Sequence, residues 1–273
     1  MCSSDLDIPI ALKVTPPEDV SDLDEAKQRW QRQADLLGSL DHPGLVKVRE
    51  LFFGAAPHRP GSADASTTVL CLAMNWAEGD RLDDWVKAHP ERSLDTVTTV
   101  LSRVADALDY LHRGVGGRPV LHRNLKPGNI LVTGEQVRLV GFGTARLMKL
   151  DAQMTIVGTP AWMPPEVLNG ESYDEAADLW SLGAIAFSPV GGAPPPLLSA
   201  DKARAQLAES PILADHPQLV DDIVALLDPT PANRPSSPTA WVEAFTAHQS
   251  AAPAAAPVEP EPAAVEAEAP IPE

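Results

Sequence analysis

The sequence predicts an α+β protein with two lobes, the first built mainly of β-strands and the second mainly of helices. Short apolar runs typical of strands dominate roughly the first 75 residues. Apolar residues spaced three and four apart, the pattern of amphipathic helices, dominate the stretch that follows, up to residue 247. At 273 residues, 44% of them hydrophobic, the chain is long enough for two lobes that share one interface.

The first lobe is expected to contain three strands and one helix. The pattern predicts a strand at 8–14 and an amphipathic helix at 22–40, which ends at the turn sequence 41–44. Two more strands are predicted at Leu45–Phe53 and Thr67–Met74, on either side of a loop rich in proline, glycine and serine.

The second lobe is expected to be mainly helical, with two short strands. Ser93 is a suitable N-cap for a long helix whose apolar positions continue to Leu111. Short strands are predicted around Ile130–Val132 and Val137–Val140. Four later helices are predicted, at 175–187, 200–209, 217–227 and 238–247. From about residue 249 the sequence is almost wholly alanine, proline and glutamate, which predicts a disordered tail.

Composition argues against several classes of function. The net charge of −17 and the pI near 4.7 disfavour nucleic acid or anionic lipid as the main partner. No run of about 18 apolar residues is present to span a membrane, and the first ten residues do not resemble a secretory signal. Cys2, Cys71 and seven scattered histidines form neither a zinc motif nor a disulfide framework, so a reducing cytosol is the expected compartment.

Four motifs in the second lobe occur in the order and at the spacing found in Ser/Thr protein kinases. Residues 122–131, His-Arg-Asn-Leu-Lys-Pro-Gly-Asn-Ile-Leu, resemble the catalytic loop H-R-D-L-K-P-x-N. Gly-Phe-Gly at 141–143 stands where kinases have D-F-G. Residues 158–166 are similar to the end of the activation segment, and 178–183 are similar to the D-x-W-S-L-G helix. Chance similarity of all four is negligible.

The resemblance extends over residues 7–247, because Ile10-Ala-Leu-Lys13 is similar to the V-A-I-K strand and Arg234 to the arginine that pairs with the A-P-E glutamate. It implies a protein-kinase-like fold, and the Ala- and Pro-rich composition suggests a bacterial, Hanks-type member. The implied domains are an incomplete N-lobe with the hinge at 7–78, a C-lobe at 79–248 and the tail at 249–273.

The same resemblance implies a nucleotide site. Lys13 is the position that holds the α- and β-phosphates, although a lone strand lysine can also be a solvated edge residue. Ala11 and Leu131 would lie on either side of the adenine, Met74 would guard the back pocket, and Asn75–Ala77 would be the hinge. Asn129 is the second metal ligand, and Lys126 belongs to the catalytic loop.

Two chemical groups that phosphoryl transfer needs are replaced. Asn124 stands at the position of the aspartate base, and an amide has no usable basicity. Gly141 stands at the position of the aspartate that grips magnesium, which leaves only the neutral amide of Asn129. Gln33 aligns with the helix glutamate that normally pairs with Lys13. An alternative is that these are harmless variants in an active enzyme.

The structural positions of the family are retained. Leu37, His122 and Phe142 would stack between the lobes, Glu166 and Arg234 would form a buried ion pair, and Asp178 would brace the catalytic loop. Arg123 is the arginine that pairs with an activation-segment phosphate in the family, and Thr155 is a candidate phosphosite. An ordinary exposed threonine is an equally acceptable interpretation of Thr155.

The first residues carry a separate hypothesis. Kinases place about 25 residues, including a glycine-rich loop, before the strand lysine, whereas 12 residues precede Lys13 here. The codons TGC TCT TCC GAT CT, the end of a common sequencing adapter, can encode Cys2–Leu6. We therefore expect Met1–Leu6 to be a non-native leader and the native N-terminus, with its glycine loop, to be missing.

Together these features predict a pseudokinase that serves as a scaffold or allosteric partner of another protein, such as an active kinase. The alternatives are a weakly active Ser/Thr kinase and a sensor that binds nucleotide without turnover. ATP and magnesium are the implied ligands, and the substitutions predict weak or absent binding of both. A cytoplasmic domain is expected, with a membrane tether beyond residue 273 as an option in a longer protein.

Overall fold

A computed structural model describes residues 9–15, 31, 34–55, 68–114, 119–141, 162–171, 174–192, 195 and 199–251. These residues form a lobe with an antiparallel sheet and a helical lobe with a second small sheet, as the sequence predicts. One continuous apolar core joins the lobes: it includes Leu37 and Leu72 from the first and Leu108 and Ile185 from the second.

The first sheet contains three antiparallel strands in the order β1, β3, β2. Strand β1 is Ile10–Thr15, β2 is Val48–Ala55 and β3 is Thr68–Asn75. The central strand is buried from Val69 to Ala73, because a neighbour covers each of its edges. Its register with β1 places Lys13 opposite Leu72, and Leu72 belongs to the core.

The strand ends of this lobe differ from the prediction by one to three residues, most of all at the start of β2. Strand β2 begins at Val48, whereas the sequence pattern predicts a start at Leu45. Leu45 instead makes an isolated bridge to Leu139 in the second lobe. Here the residues that link the two lobes are apolar and extended, as the residues of a strand are. The sequence pattern therefore does not distinguish this link from the start of β2.

The helix of the first lobe, α1, is described at residues 34–39. It ends one residue before the predicted end at Leu40, and most of the predicted helix 22–40 lies outside the described residues. Leu37 and Leu40 are buried against the core.

The second lobe is built around two long helices, α3 (Leu94–Arg113) and α5 (Glu175–Gly191). Ser93 caps α3, since its hydroxyl oxygen accepts the amide proton of Thr96. Helix α5 is buried on nearly all sides. Gly183 lets it approach α7 (Pro217–Leu226), because a Cβ at position 183 would lie 2.6 Å from the Cβ of Leu226. The remaining elements of this lobe are β4 (Asp80–Arg81), α2 (Leu82–Ala88), β5 (Ile130–Thr133), β6 (Gln136–Leu139), α4 (Pro165–Leu168), α6 (Ala200–Ala208) and α8 (Pro238–Ser250).

Two helices run further than the sequence predicts. Helix α5 continues past 187 to Gly191 despite Pro189, whose carbonyl accepts hydrogen bonds from the guanidinium of Arg92. Helix α8 continues to Ser250, so the expected boundary between C-lobe and tail at 248/249 falls inside a helix. The predicted disorder from 252 onwards concerns residues outside the described part of the chain and stays a prediction.

Candidate functional site

The loop that carries Asn124 is held by a buried carboxylate. Asp178, fully buried on α5, accepts the backbone amide protons of His122 (2.8 Å) and Arg123 (3.0 Å). The ring of His112 lies 3.1 Å from the same carboxylate. Arg123 has a positive φ of 62°, a conformation that non-glycine residues rarely adopt. Asp178 therefore braces the loop, as the resemblance implies.

The imidazole of His122, in the same loop, is fully buried. Burial lowers its pKa to about 4, against the opposing effects of the Asp178 carboxylate and a hydrogen bond to the backbone of Val140. Its Nδ1 accepts the backbone amide proton of Asn124 at 3.3 Å, which requires an unprotonated nitrogen. The neutral ring and the Asp178 contacts fix the backbone position of Asn124.

Asn129 connects the loop to Gly141. Its side-chain Nδ2 donates to the backbone carbonyl of Asn124 at 2.7 Å, and its own carbonyl accepts from Val140 N at 2.9 Å. Because Nδ2 is engaged there, the amide oxygen Oδ1 points the other way. A Cβ built on Gly141 would lie 2.9 Å from that oxygen. The side chain that Gly141 lacks would therefore emerge directly against Asn129.

The magnesium ion that the fold implies does not fit these residues. The metal-facing positions offer the amide oxygen of Asn129 and no side chain at all from Gly141, whereas magnesium is bound in proteins through carboxylates. Within the described ranges, no group of three or more His, Cys, Asp or Glu residues is arranged to hold a metal.

Lys13 and Lys126 bring positive charge to the cleft. Partial burial lowers the pKa of Lys13, and the positive charge of Lys126 acts in the same direction. Lys13 lies on β1 of the first lobe and Lys126 in the catalytic loop of the second. The two lysines, from different lobes, are thus close enough for their charges to repel each other.

The predicted adenine and hinge positions lie on three elements. Ala11 and Met74 are opposite each other across β1 and β3, and Leu131 lies on β5 of the second sheet. At the hinge, Asn75 N donates to the carbonyl of Lys47 (2.9 Å), and Trp76 N donates to that of Pro9 (3.0 Å). Ala77 follows in the described loop. Nucleotide binding by this set stays a prediction.

Glu166 and Arg234 form the expected buried ion pair. The guanidinium makes two parallel bonds to the carboxylate, of 2.7 and 2.8 Å. It also donates to the carbonyls of Ala176 and Asp228, so little of its hydrogen-bonding capacity remains unused. The pair fixes α4 to the start of α5 and to the loop before α8.

The structure also shows contacts between the lobes, made by residues 42–46, that the sequence did not predict, and we call this contact region the seam. Val46 N donates to the carbonyl of Leu139 (3.1 Å), and Leu139 N donates to that of Gly44 (2.8 Å). His42 stacks on Tyr110, and its Nε2 lies 3.3 Å from the Asp106 carboxylate. The segment Asp41-His-Pro-Gly44 is interpretable from sequence only as a helix stop. Nothing in the pattern of this segment indicates contact with Asp106 and Tyr110, or with Leu139, which lies 95 positions after Gly44.

Three predicted positions lie outside the described residues: Gln33, Phe142 and Thr155. Of the expected stack between the lobes, Leu37 and His122 are both buried. Among the described helices, none is long and apolar enough to cross a membrane.

Comparison with known sequences points to one family. Residues 2–244 match the protein kinase domain family. The match begins inside residues 1–6, whose non-native origin stays a prediction. The chain is 35% identical over 193 residues to the serine/threonine-protein kinase PknJ of Mycobacterium tuberculosis, covering 68% of this chain and 30% of PknJ. It is 30% identical over 244 residues to the serine/threonine-protein kinase pkn2 of Myxococcus xanthus, covering 82% and 27%.

Similarity extends to a human protein and to solved structures. The chain is 35% identical over 177 residues to the human serine/threonine-protein kinase Nek2, covering 62% of this chain and 38% of Nek2. The crystal structure of the Mycobacterium tuberculosis PknI kinase domain superimposes with a TM-score of 0.63 at 26% identity, covering 88% of this chain and 85% of that one. The chain therefore spans well under half the length of these curated relatives and most of a solved kinase domain.

Proposed function

Because the chain belongs to the protein kinase family, with bacterial Hanks-type relatives, we propose that it is a pseudokinase. In this proposal the domain keeps the kinase architecture, has lost efficient phosphoryl transfer, and acts by binding another protein, such as an active kinase, as a scaffold or allosteric partner.

One observation carries the proposal: the contact between Gly141 and Asn129. The position from which a metal-binding carboxylate would project has no side chain, and the space next to it holds the neutral amide of Asn129. Phosphoryl transfer depends on a metal ion that neutralises the charge developing on the phosphates. A cleft without this carboxylate has lost the group that the reaction needs most.

The base position adds a second deficit. The amide of Asn124 can orient a hydroxyl, but it cannot accept the proton. Loss of a general base typically costs about 10²- to 10⁴-fold in rate. The two deficits act on different parts of the reaction, on the nucleophile and on the phosphates, so each would lower the rate on its own.

The binding role is supported by what the chain retains. The Asp178 contacts to the loop and the Glu166–Arg234 pair serve the shape of the domain, and both are present with good geometry. A domain that keeps its framework and replaces its reactive groups is suited to recognition by other proteins.

A nucleotide sensor is the second candidate function. Lys13 and Lys126 still place two cations at the cleft, and these attract a polyphosphate without help from a metal. A weakly active kinase that relies on Lys13 and Asn129 with a displaced metal is a further alternative.

A thermal-shift titration of the full-length protein with ATP, with and without magnesium, distinguishes these functions. The pseudokinase scaffold predicts no shift in Tm under either condition. A shift that does not need magnesium supports the sensor. A magnesium-dependent shift together with phosphate transfer to a serine-containing peptide would overturn the proposal.

A further inference from the structure

The described chain passes between the two lobes at three places. It leaves the first lobe after α1, returns to it just before β2 and leaves it again after β3. A residue that is hydrogen-bonded to one lobe moves with that lobe. Only the residues between two sets of such bonds can change their backbone angles when the lobes move relative to each other.

The loop 41–46, which contains the seam, is attached to the second lobe although first-lobe elements precede and follow it. Asp41 N donates to the hydroxyl of Tyr110 on α3 at 2.9 Å. Gly44 lies so close to α3 that a Cβ at this position would be 3.0 Å from the Cβ of Ala107. The backbone hydrogen bonds of the seam complete the attachment.

The two ends of this loop lie side by side. Lys47 Nζ donates to the carbonyl of Leu40 at 2.8 Å, so the residue before the loop is tied to the residue after it. Lys47 belongs to the first lobe, because its own carbonyl accepts the amide proton of Asn75 at the end of β3. The chain thus enters and leaves the loop at one point, which we call the Lys47 pivot.

The passage after β3 is a single residue wide. Trp76 is held on the first lobe, where its amide donates to the carbonyl of Pro9 at 3.0 Å. Glu78 is held on the second lobe, where its carbonyl accepts the hydroxyl proton of Thr133 at 2.7 Å. Ala77, between them, makes no hydrogen bond to the described part of either lobe.

Gly79 keeps the attachment to the second lobe close. Its φ is +132°, a conformation that residues with a side chain rarely adopt, and a Cβ at this position would collide with the hydroxyl of Thr133. Strand β4 begins at the next residue, Asp80, which lies opposite Val132 on β5. The backbone is therefore fixed on both sides of Ala77.

We propose that the two lobes rotate as rigid units about one axis, which passes through Ala77 and the Lys47 pivot. Two fixed points define an axis, whereas one flexible link would permit rotation in every direction. Asn75 joins the two points on the first lobe, since its amide bonds to Lys47 and Ala77 follows two residues later. The apolar core shared by the lobes permits this rotation, because apolar contacts are not directional as hydrogen bonds are.

Rotation about this axis changes the distance between the lobes where the predicted nucleotide positions lie. Met74 and Asn75 come just before Ala77, and Leu131 lies on β5, two residues before Thr133. A partner or ligand that contacts both lobes therefore fixes the angle between them. The motion does not depend on whether the cleft transfers phosphate.

Double electron–electron resonance measures this motion as the width of the distance distribution between two spin labels. The labels are attached to the full-length protein at Glu50→Cys in the first lobe and Glu135→Cys in the second, because both side chains are exposed. The native Cys2 and Cys71 are replaced by serine and alanine in every sample, so that only the two chosen positions carry labels.

Each pivot has its own variant. Thr133→Val removes the bond that holds Glu78 on the second lobe, and Lys47→Met removes the bond to Leu40, so we expect each to broaden the distribution. Ala77→Gly should also broaden it, because glycine adds backbone freedom at the pivot.

Matched controls separate the pivots from general loosening of the fold. Thr133→Ser and Lys47→Arg keep a donor and should give the native width, as should Ala208→Gly at the exposed end of α6. Circular dichroism checks that each variant is folded. A native width in the variants of either pivot, or an equal broadening in Ala208→Gly, would overturn the proposal.

Discussion

At the scale of single residues, Gly141 combines two properties. Its φ is +77°, in the region that glycine adopts without strain, and its missing side chain would contact Asn129. The glycine therefore avoids backbone strain at the position where the D-F-G motif of kinases has an aspartate.

Replacement of Gly141 tests this account without any ligand. Gly141→Ala should lower the free energy of unfolding by about 1–2 kcal/mol, because a Cβ at positive φ is strained and because Asn129 must move. Gly141→Asp should cost a similar amount when no metal is present. Urea denaturation measures both variants, with Gly128→Ala as the control, because a Cβ at Gly128 meets no atom within 4 Å. A cost at Gly141 no larger than at Gly128 would contradict the geometry.

His122 predicts a specific dependence of stability on pH. Its pKa of about 4 in the fold lies below the usual 6.5, so the unfolded chain binds more protons between these values. Its contribution to stability is complete above pH 6.5 and falls as the pH drops towards 4, by at most about 3 kcal/mol.

Denaturant unfolding between pH 7 and pH 4 measures this contribution. The His122→Phe variant lacks the titrating ring and should show a smaller loss of stability across that range than the native protein. Equal slopes for both proteins would mean that His122 is not the group responsible.

At the scale of elements, the sequence predicts most strands and helices but not the residues at which several of them begin or end. Helix α3 follows directly from its apolar spacing and from Ser93. The ends of β2, α5 and α8 differ from prediction because distant contacts decide them, such as Arg92 with Pro189 and Thr98 with Gln249. The Glu166–Arg234 pair was predictable only because the motifs resemble those of a known family.

The Glu166–Arg234 pair, which attaches α4 to the rest of the second lobe, should contribute to the free energy of unfolding. Arg234→Met leaves the carboxylate of Glu166 buried without its partner, which typically costs about 3–5 kcal/mol. The double variant Arg234→Met/Glu166→Gln should recover part of this loss, because no charge remains buried. The exposed pair Arg204–Asp221 is the matched control, and Arg204→Ala should cost less than about 1 kcal/mol. Equal losses at the two sites would contradict a buried role.

At the scale of the whole molecule, the features of a kinase separate into those that hold its shape and those that perform its reaction. The two lobes share one core, and the seam at residues 44–46 adds backbone hydrogen bonds between them. The motifs predicted this architecture. They did not predict the seam, since it depends on residues far apart in sequence.

The central claim is that the cleft no longer uses magnesium, and the ATP-induced change in Tm tests it most directly. Native full-length protein should show no magnesium-dependent increase in Tm, whereas the Asn124→Asp/Gly141→Asp variant should gain one, because it regains the metal-binding carboxylate. A magnesium-dependent increase in the native protein, equal to that of the double variant, would contradict the claim.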